Sequence, residues 1–174
     1  MKKYTLVFLF LCFFLFIPLS NVKAASELEC DLYKEQIDAI QVLNYNHNSI
    51  YVTESDVYLM AQIVFAESRS EPYEGKVAVA SVILNRVQSP GFPKSIEGVI
   101  KQKNAFSCLV NGQIDVIPDK ASYDAVLEAL NGKDPTDKAV FFYNPKIATS
   151  YWMKNIEKTN VKPIGNHVFF VVNQ

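Results

Sequence analysis

Between Pro72 and Ser89 lies a segment in which Val77, Val79, Ala80, Val82, Ile83, Leu84 and Val87 would cover nearly every face of a helix. Such a helix cannot rest on a surface with one side in water. It has to be sheathed by other elements, which predicts a central buried spine. Pro72 suits the first helical position, with Ser70 or Glu71 as the cap.

The elements that could sheathe it are legible on both sides. Thr53-Glu54-Ser55-Asp56 offers a capping residue and first-turn acids, and Val57, Met60, Ala61 and Val64 follow at helical spacing. That helix should stop before Pro72, because Glu71 is pushed out of the α region. Ser95 to Ile100 reads as a short helical turn. Asp119 caps a further helix in which Tyr123, Val126, Leu127 and Leu130 align, closed by Asn131-Gly132. Ala139 to Tyr143 and Val168 to Val172 are apolar, rich in Val and Phe, and read as short strands. The expected class is α+β, mainly helical with a few short strands.

The amino terminus reads as export machinery. Lys2 and Lys3, an apolar run from Leu6 to Leu19, and Val22-Lys23-Ala24 have the three parts of a signal peptide, expected to be residues 1–24. A retained anchor is the alternative, but the run is short for a bilayer span and contains Pro18. Removing 24 of 174 residues leaves 150, enough for one domain with a genuine core. The removed piece carries three of the 17 bases and none of the 18 acids, so the formal charge moves from −1 to −4. No basic footprint for nucleic acid remains. Membrane contact is expected only through the transient signal peptide.

Residues 25–50 are expected to form a helical arm, opened by the capping box Ser26-Glu27-Leu28-Glu29 and carrying Leu28, Leu32, Ile37, Ile40 and Leu43. Asn44 to Ser49 then break it with turn-forming residues. The arm could receive an accessory protein, and residues 51–174 form the domain proper. Cys30 and Cys108 could bridge in an exported protein or stay as buried thiols. His47 and His167 stand alone, and no Cys/His cluster has metal spacing, so neither metal nor cofactor is expected.

One carboxylate is out of place. Positions 60, 64 and 67 follow i, i+4, i+7, so Glu67 projects from the same helix face as Met60, Ile63 and Val64. A partly buried acid near a helix C-terminus is pushed toward its protonated form by desolvation and by the dipole. Raising a Glu from about 4.3 to about 6 or 7 takes roughly 2 to 4 kcal/mol, and a proton held near neutral pH suits a general acid. The alternative is a rim residue paired with Arg69 or Lys76. Glu71 reads as a cap or site-rim residue, and Glu74 as a surface acid in a first helical turn.

Two later knots mix aromatics with amides and hydroxyls: Asn104 to Cys108, and Phe142-Tyr143-Asn144-Pro145 with Tyr151-Trp152 behind. Aromatic faces flanked by polar groups suit sugar rings, although such residues also build cores.

The run Ala61 to Val87, read with Ser89-Pro90 to Phe92-Pro93, Ile96 to Ile100, Phe106-Ser107-Cys108, Tyr143-Asn144-Pro145 and Ile164-Gly165-Asn166-His167-Val168-Phe169, resembles the spore cortex-lytic cell-wall hydrolases of the SleB/CwlJ type. The blocks keep the family's order across residues 57–170. The resemblance implies a lysozyme-like fold, peptidoglycan glycan strands as substrate, cleavage of the β-1,4 link between N-acetylmuramic acid and N-acetylglucosamine, and a location in the wall or spore cortex. It places the family's essential acid on Glu67. Ala66, Ser68 and Ser70 stand where members usually have Gly, Ala and Gly, and Ala105 where many have Gln.

A hydrolytic glycosidase needs a second carboxylate about 5 Å or about 6.5 to 9.5 Å away, whereas a lytic transglycosylase needs one, because the substrate attacks itself. The favoured expectation is Glu67 as acid and then base. Tyr143, Asn144 and Trp152 would hold sugars, Phe106 and Ser107 would shape the groove, and Glu71 would stand at its rim. Open alternatives are a hydrolase using Asp115, Asp119 or Glu71, an amidase on the peptide stem, and a non-catalytic wall-binding protein.

Overall fold

The spine expected from the sequence is present. Helix α2 (Tyr73–Gln88) is buried at every residue from Gly75 to Val87, the polar ones included. The structure, a computed structural model, describes residues 41–45 and 48–172, with side chains from residue 51 onward. The expected signal peptide and the arm up to residue 40 lie outside the described residues. Everything described belongs to one compact unit that begins at Ala39.

In chain order the elements are strands β1 (Gln41–Tyr45) and β2 (Asn48–Val52), helices α1 (Glu54–Glu67), α2, α3 (Ile96–Ile100) and α4 (Lys120–Leu130), strand β3 (Phe141–Tyr143), helix α5 (Tyr151–Asn155), and strands β4 (Thr159–Ile164) and β5 (His167–Val171). Helices α1, α3 and α4 pack around α2, and β3 and β4 also touch it. The fold is α+β, as the sequence indicated.

The arm is corrected by its described part. Gln41 to Val52 is an antiparallel hairpin, with Gln41 opposite Val52 and Tyr45 opposite Asn48, where a helix reaching Leu43 and a loop to Ser49 were expected. Val42, Leu43 and Tyr45 on one side of a polar turn and Ile50, Tyr51 and Val52 on the other form a strand-turn-strand pattern that outweighs the loose helical spacing. The boundary drawn at residue 51 therefore cuts through a strand, and Val52 belongs to the core at 3% exposure.

Helix α1 starts on a capping box in which Thr53 accepts from the Asp56 amide and Asp56 accepts from the Thr53 amide. Helix α2 begins one residue later than expected, with Pro72 as its N-cap and no side-chain cap bond. On α4 the buried face is Ser122, Ala125, Val126, Ala129 and Leu130, while Leu127 is exposed. Of the aligned Tyr123, Val126, Leu127 and Leu130, Val126 and Leu130 are buried and Tyr123 packs partly buried against the core, so only Leu127 departs from the expected face. Small residues face α2 because two helices approach closely only where side chains are short.

The second sheet has the order β3-β5-β4, all antiparallel. Strand β4 was not anticipated. Its residues are almost all exposed and include Lys162 and Pro163, the composition of an edge strand. The signal that could have revealed it is Gly165-Asn166, a two-residue hairpin turn between Ile164 and His167, with Gly165 at φ +62°.

Candidate active site

Glu67 is the last residue of α1, one turn beyond the fully buried Ile63 and Val64, and is itself half-buried. The chain is secured immediately after it. Ser68 is fully buried, its amide donates to the Val64 carbonyl at 3.0 Å, and its hydroxyl donates to the same oxygen. The buried Lys76 of α2 reaches back to donate to the Ser68 carbonyl at 2.9 Å. An ammonium group thus caps the negative end of α1, and the direction in which Glu67 leaves the helix is fixed by packing.

The alternative pairings for Glu67 are taken up elsewhere. Arg69 lies over the Phe65 ring at 4.6 Å. Lys76 serves the Ser68 carbonyl. What Glu67 meets is the first aromatic knot: the Ser107 hydroxyl and the Cys108 amide both donate to its Oε1, each at 3.4 Å. Both of these donors fall on one oxygen, Oε1.

Phe106, next in line, is a buried wall at 5% exposure. The Arg86 guanidinium of α2 lies over it at 5.1 Å. Arg86 also stands 5.9 Å from the centre of the Phe141 ring, and the edge of Trp152 meets Phe141 with centroids 5.3 Å apart. Trp152 itself is 46% exposed and can offer a face. Asn104, Phe106 and Ser107 wall an open cavity of about 450 Å³ together with Lys101, Leu109 and Asn111, so the segment beside Glu67 borders a groove.

Glu67, Ser107, Phe106 and Trp152 are therefore brought into one region. Tyr143 and Asn144 hold the end of β3: the Tyr143 ring packs edge-on against Phe170 and carries the Lys158 ammonium at 5.4 Å. Asn144 accepts from the Lys146 amide in a local turn.

Glu71 is engaged differently. Its Oε2 accepts the Asn166 backbone amide at 2.7 Å and its Oε1 the Asn166 side-chain amide at 3.2 Å. His167, buried and edge-on to Phe142, has Nδ1 3.9 Å from Glu71 Oε1. The Glu71 carboxylate holds the β4–β5 turn against the start of α2. Asp119 is likewise occupied, as the cap of α4, where hydrogen bonds from Ser122 hold its carboxyl below the usual range. Asp115 is exposed, on a segment tied to α1 by Gln62, which donates to the Val116 carbonyl at 2.9 Å. Among the described residues, no cluster of His, Cys, Asp or Glu could hold a metal.

Sequence reasoning missed Arg86 and gave two other contributors different roles, Lys76 as a partner of Glu67 and Cys108 as a bridging cysteine or buried thiol. For Lys76 and Arg86 a signal existed, since a charged residue on a helix apolar all round has to be buried with it. Cys108, half-buried beside Glu67, carries a free thiol among the described residues, and Cys30, the partner considered for a bridge, lies outside them. Burial, with the Glu67 charge and hydrogen bond behind it, pushes that thiol up to about 12. Because the thiolate is the reactive form, Cys108 should alkylate far more slowly at pH 8 than an ordinary cysteine, by at least about a hundredfold. Glu67→Gln should speed it up, since one cause of the shift is removed. Peptide mass mapping after timed iodoacetamide exposure checks both, and ordinary reactivity would contradict the placement.

A model of the cell wall hydrolase family matches residues 70–170, a span that begins just after Glu67 and contains the Phe106-Ser107-Cys108 segment. A spore cortex-lytic enzyme of Halalkalibacterium halodurans is 48% identical over 117 residues, 67% of this chain and 35% of that protein. One from Bacillus subtilis is 47% identical over 115 residues, 66% of this chain and 37% of that protein. The chain thus spans little more than a third of the length of these relatives. Among solved structures, the catalytic domain of the Bacillus cereus SleB protein superposes with a TM-score of 0.61 at 46% identity, covering 68% of this chain and 91% of that one. The catalytic domain of the germination-specific lytic transglycosylase SleB from Bacillus anthracis gives 0.63 at 45%, covering 68% and 96%.

Proposed function

The chain belongs to the cell wall hydrolase family, and from that premise we propose that it is a peptidoglycan-cleaving enzyme working as a lytic transglycosylase, with Glu67 as its single acid and base. The observation that carries this is the environment of Glu67: a half-buried carboxylate at a fixed helix end, oriented by the Ser107 hydroxyl and the Cys108 amide on Oε1. Two of the three other candidate acids support the same reading, since Glu71 is bound to Asn166 and Asp119 caps a helix.

In this mechanism Glu67 gives its proton to the oxygen of the β-1,4 bond as N-acetylglucosamine departs from C1 of N-acetylmuramic acid. The resulting carboxylate then takes the proton of the muramoyl C6 hydroxyl as that oxygen closes on C1. The enzyme ends the cycle as it began, and the product carries a 1,6-anhydromuramoyl end. Ser107 and the Cys108 amide keep the carboxylate oriented through both steps. Trp152 offers a stacking face and Phe106 lines the groove beside Ser107, while Tyr143 and Asn144 hold the end of β3 and do not line it. Glu71 acts at one remove, by holding the β4–β5 turn.

The relatives named as spore cortex-lytic enzymes favour a role in the spore cortex, with export by residues 1–24 and the region before residue 51 available to an accessory protein. Digestion of purified peptidoglycan should yield glycan fragments lighter by one water than their reducing counterparts in mass spectrometry. Reducing muramoyl ends would identify a hydrolase, and freed stem peptides an amidase.

A further inference from the structure

We propose that the cavity over Arg86 is a subsite for a carboxylate borne by the muramoyl unit of the glycan, a specificity element that deepens and rests on the function proposed above. Arg86 is 5% exposed. Its Nε donates to the Val140 carbonyl at 2.8 Å, while Nη1 is buried with no partner among the described residues. The guanidinium sits among the rings of Phe92, Phe106 and Phe141, with centroid distances of 5.6, 5.1 and 5.9 Å. Burial lowers it to about 10, with the Glu67 charge acting in the opposite direction, so it stays a cation at neutral pH. No carboxylate lies within ion-pair distance of it among the described residues. A buried cation with an unused donor is costly to maintain unless something anionic meets it.

The cavity has a volume of about 630 Å³, within the range of small-molecule sites, and is lined by Arg86, Phe92, Phe141 and Trp152 together with Lys103 and Asn104. Two cations and no acid line it. Its position relative to the reacting bond follows from the segment 104–108, which lines the cavity with Asn104 and Ala105 and touches Glu67 with Ser107 and Cys108. A planar guanidinium set among aromatic rings is matched to a carboxylate. Of the two sugars in the glycan only N-acetylmuramic acid offers one, either on its lactyl group or on the peptide attached there. The aromatic lining takes the sugar and Arg86 takes its charge.

The test compares four glycan substrates: strands with intact peptides, strands stripped to the free lactyl group, and each of these with carboxyls converted to methylamides. Wild type should cleave a carboxylate-bearing strand with kcat/KM roughly ten- to a hundredfold above its methylamide. A preference among stripped strands assigns the lactyl group, and a preference confined to intact strands assigns the peptide. Arg86→Gln should cleave each pair equally. Equal cleavage of both members of each pair by wild type, or a preference that survives in Arg86→Gln, overturns the subsite.

A second measurement guards against a misfolded variant. In the wild-type protein the Arg86 Nε–H resonance should shift on titration with N-acetylmuramic acid and not with its methyl ester. The same response to both, including no response, overturns the proposal. If wild type cleaves none of the four strands, the proposed function falls, and this titration still decides the subsite.

Discussion

Replacing Glu67 by Gln is expected to lower the rate of peptidoglycan cleavage by about three orders of magnitude, within the range that general acid-base groups contribute. The size follows from the double duty of one carboxylate, since an amide can neither give the proton to the leaving oxygen nor take one from the C6 hydroxyl. The fold should be unaffected. Gln has the same shape, its carbonyl oxygen can accept from the Ser107 hydroxyl and the Cys108 amide as Oε1 does, and the buried partners Ile63 and Val64 are untouched. Loss of turbidity of a wall suspension gives the rate, and circular dichroism with a sedimentation assay for wall binding gives integrity. Retained binding without cleavage would exclude a non-catalytic wall protein. Equal activity in the two proteins would remove Glu67 from the chemistry.

The second large effect lies away from the reacting bond. Gly165→Ala should destabilise the domain by about 3 to 4 kcal/mol. Gly165 has φ +62°, where a side chain costs roughly 1 to 2 kcal/mol. A Cβ there would meet Glu71 Oε2 at 2.1 Å and Pro72 Cδ at 2.7 Å, contacts that cannot persist. Relieving them moves the turn away from Glu71 and gives up the bonds to Asn166, charge-assisted interactions typically contributing about 1.5 to 3 kcal/mol. Urea denaturation should show a lowered midpoint at an unchanged slope. Glu71→Gln, which keeps an acceptor oxygen in place, should lose less. A change under about 1 kcal/mol for Gly165→Ala would show that the turn is not gripped as described.

How much of this was readable from the chain divides along physical lines. Helix α2 was legible because its apolar residues admit no exposed face, and α1 and α4 because their caps are local signals carried by Thr53 and Asp119. The half-buried placement of Glu67 was legible because helix geometry ties it to Met60, Ile63 and Val64. Strand β4 was not, since an exposed edge strand is held by its partner and not by its own pattern, and only Gly165-Asn166 marked it. The hairpin before α1 was hidden by a loose helical spacing in residues that also favour strands. The bonds from Ser107 and Cys108 to Glu67 join residues 40 and 41 positions apart and depend on how α1 meets the loop after α3. The engagement of Glu71 by Asn166, 95 positions away, is likewise a product of tertiary packing that no local rule anticipates. Glu71 looked like a site-rim acid because it follows the candidate acid Glu67 closely in sequence, and the fold turns its side chain toward Asn166.

The claim that one carboxylate suffices because the glycan supplies its own nucleophile is tested most directly by cleavage in heavy-oxygen water. The muramoyl ends released at once by wild type should carry no heavy oxygen and should be anhydro sugars, since the oxygen that closes on C1 comes from the substrate. Heavy oxygen at C1 of a reducing muramoyl end would mean that water attacks, and Glu67 would then need a partner.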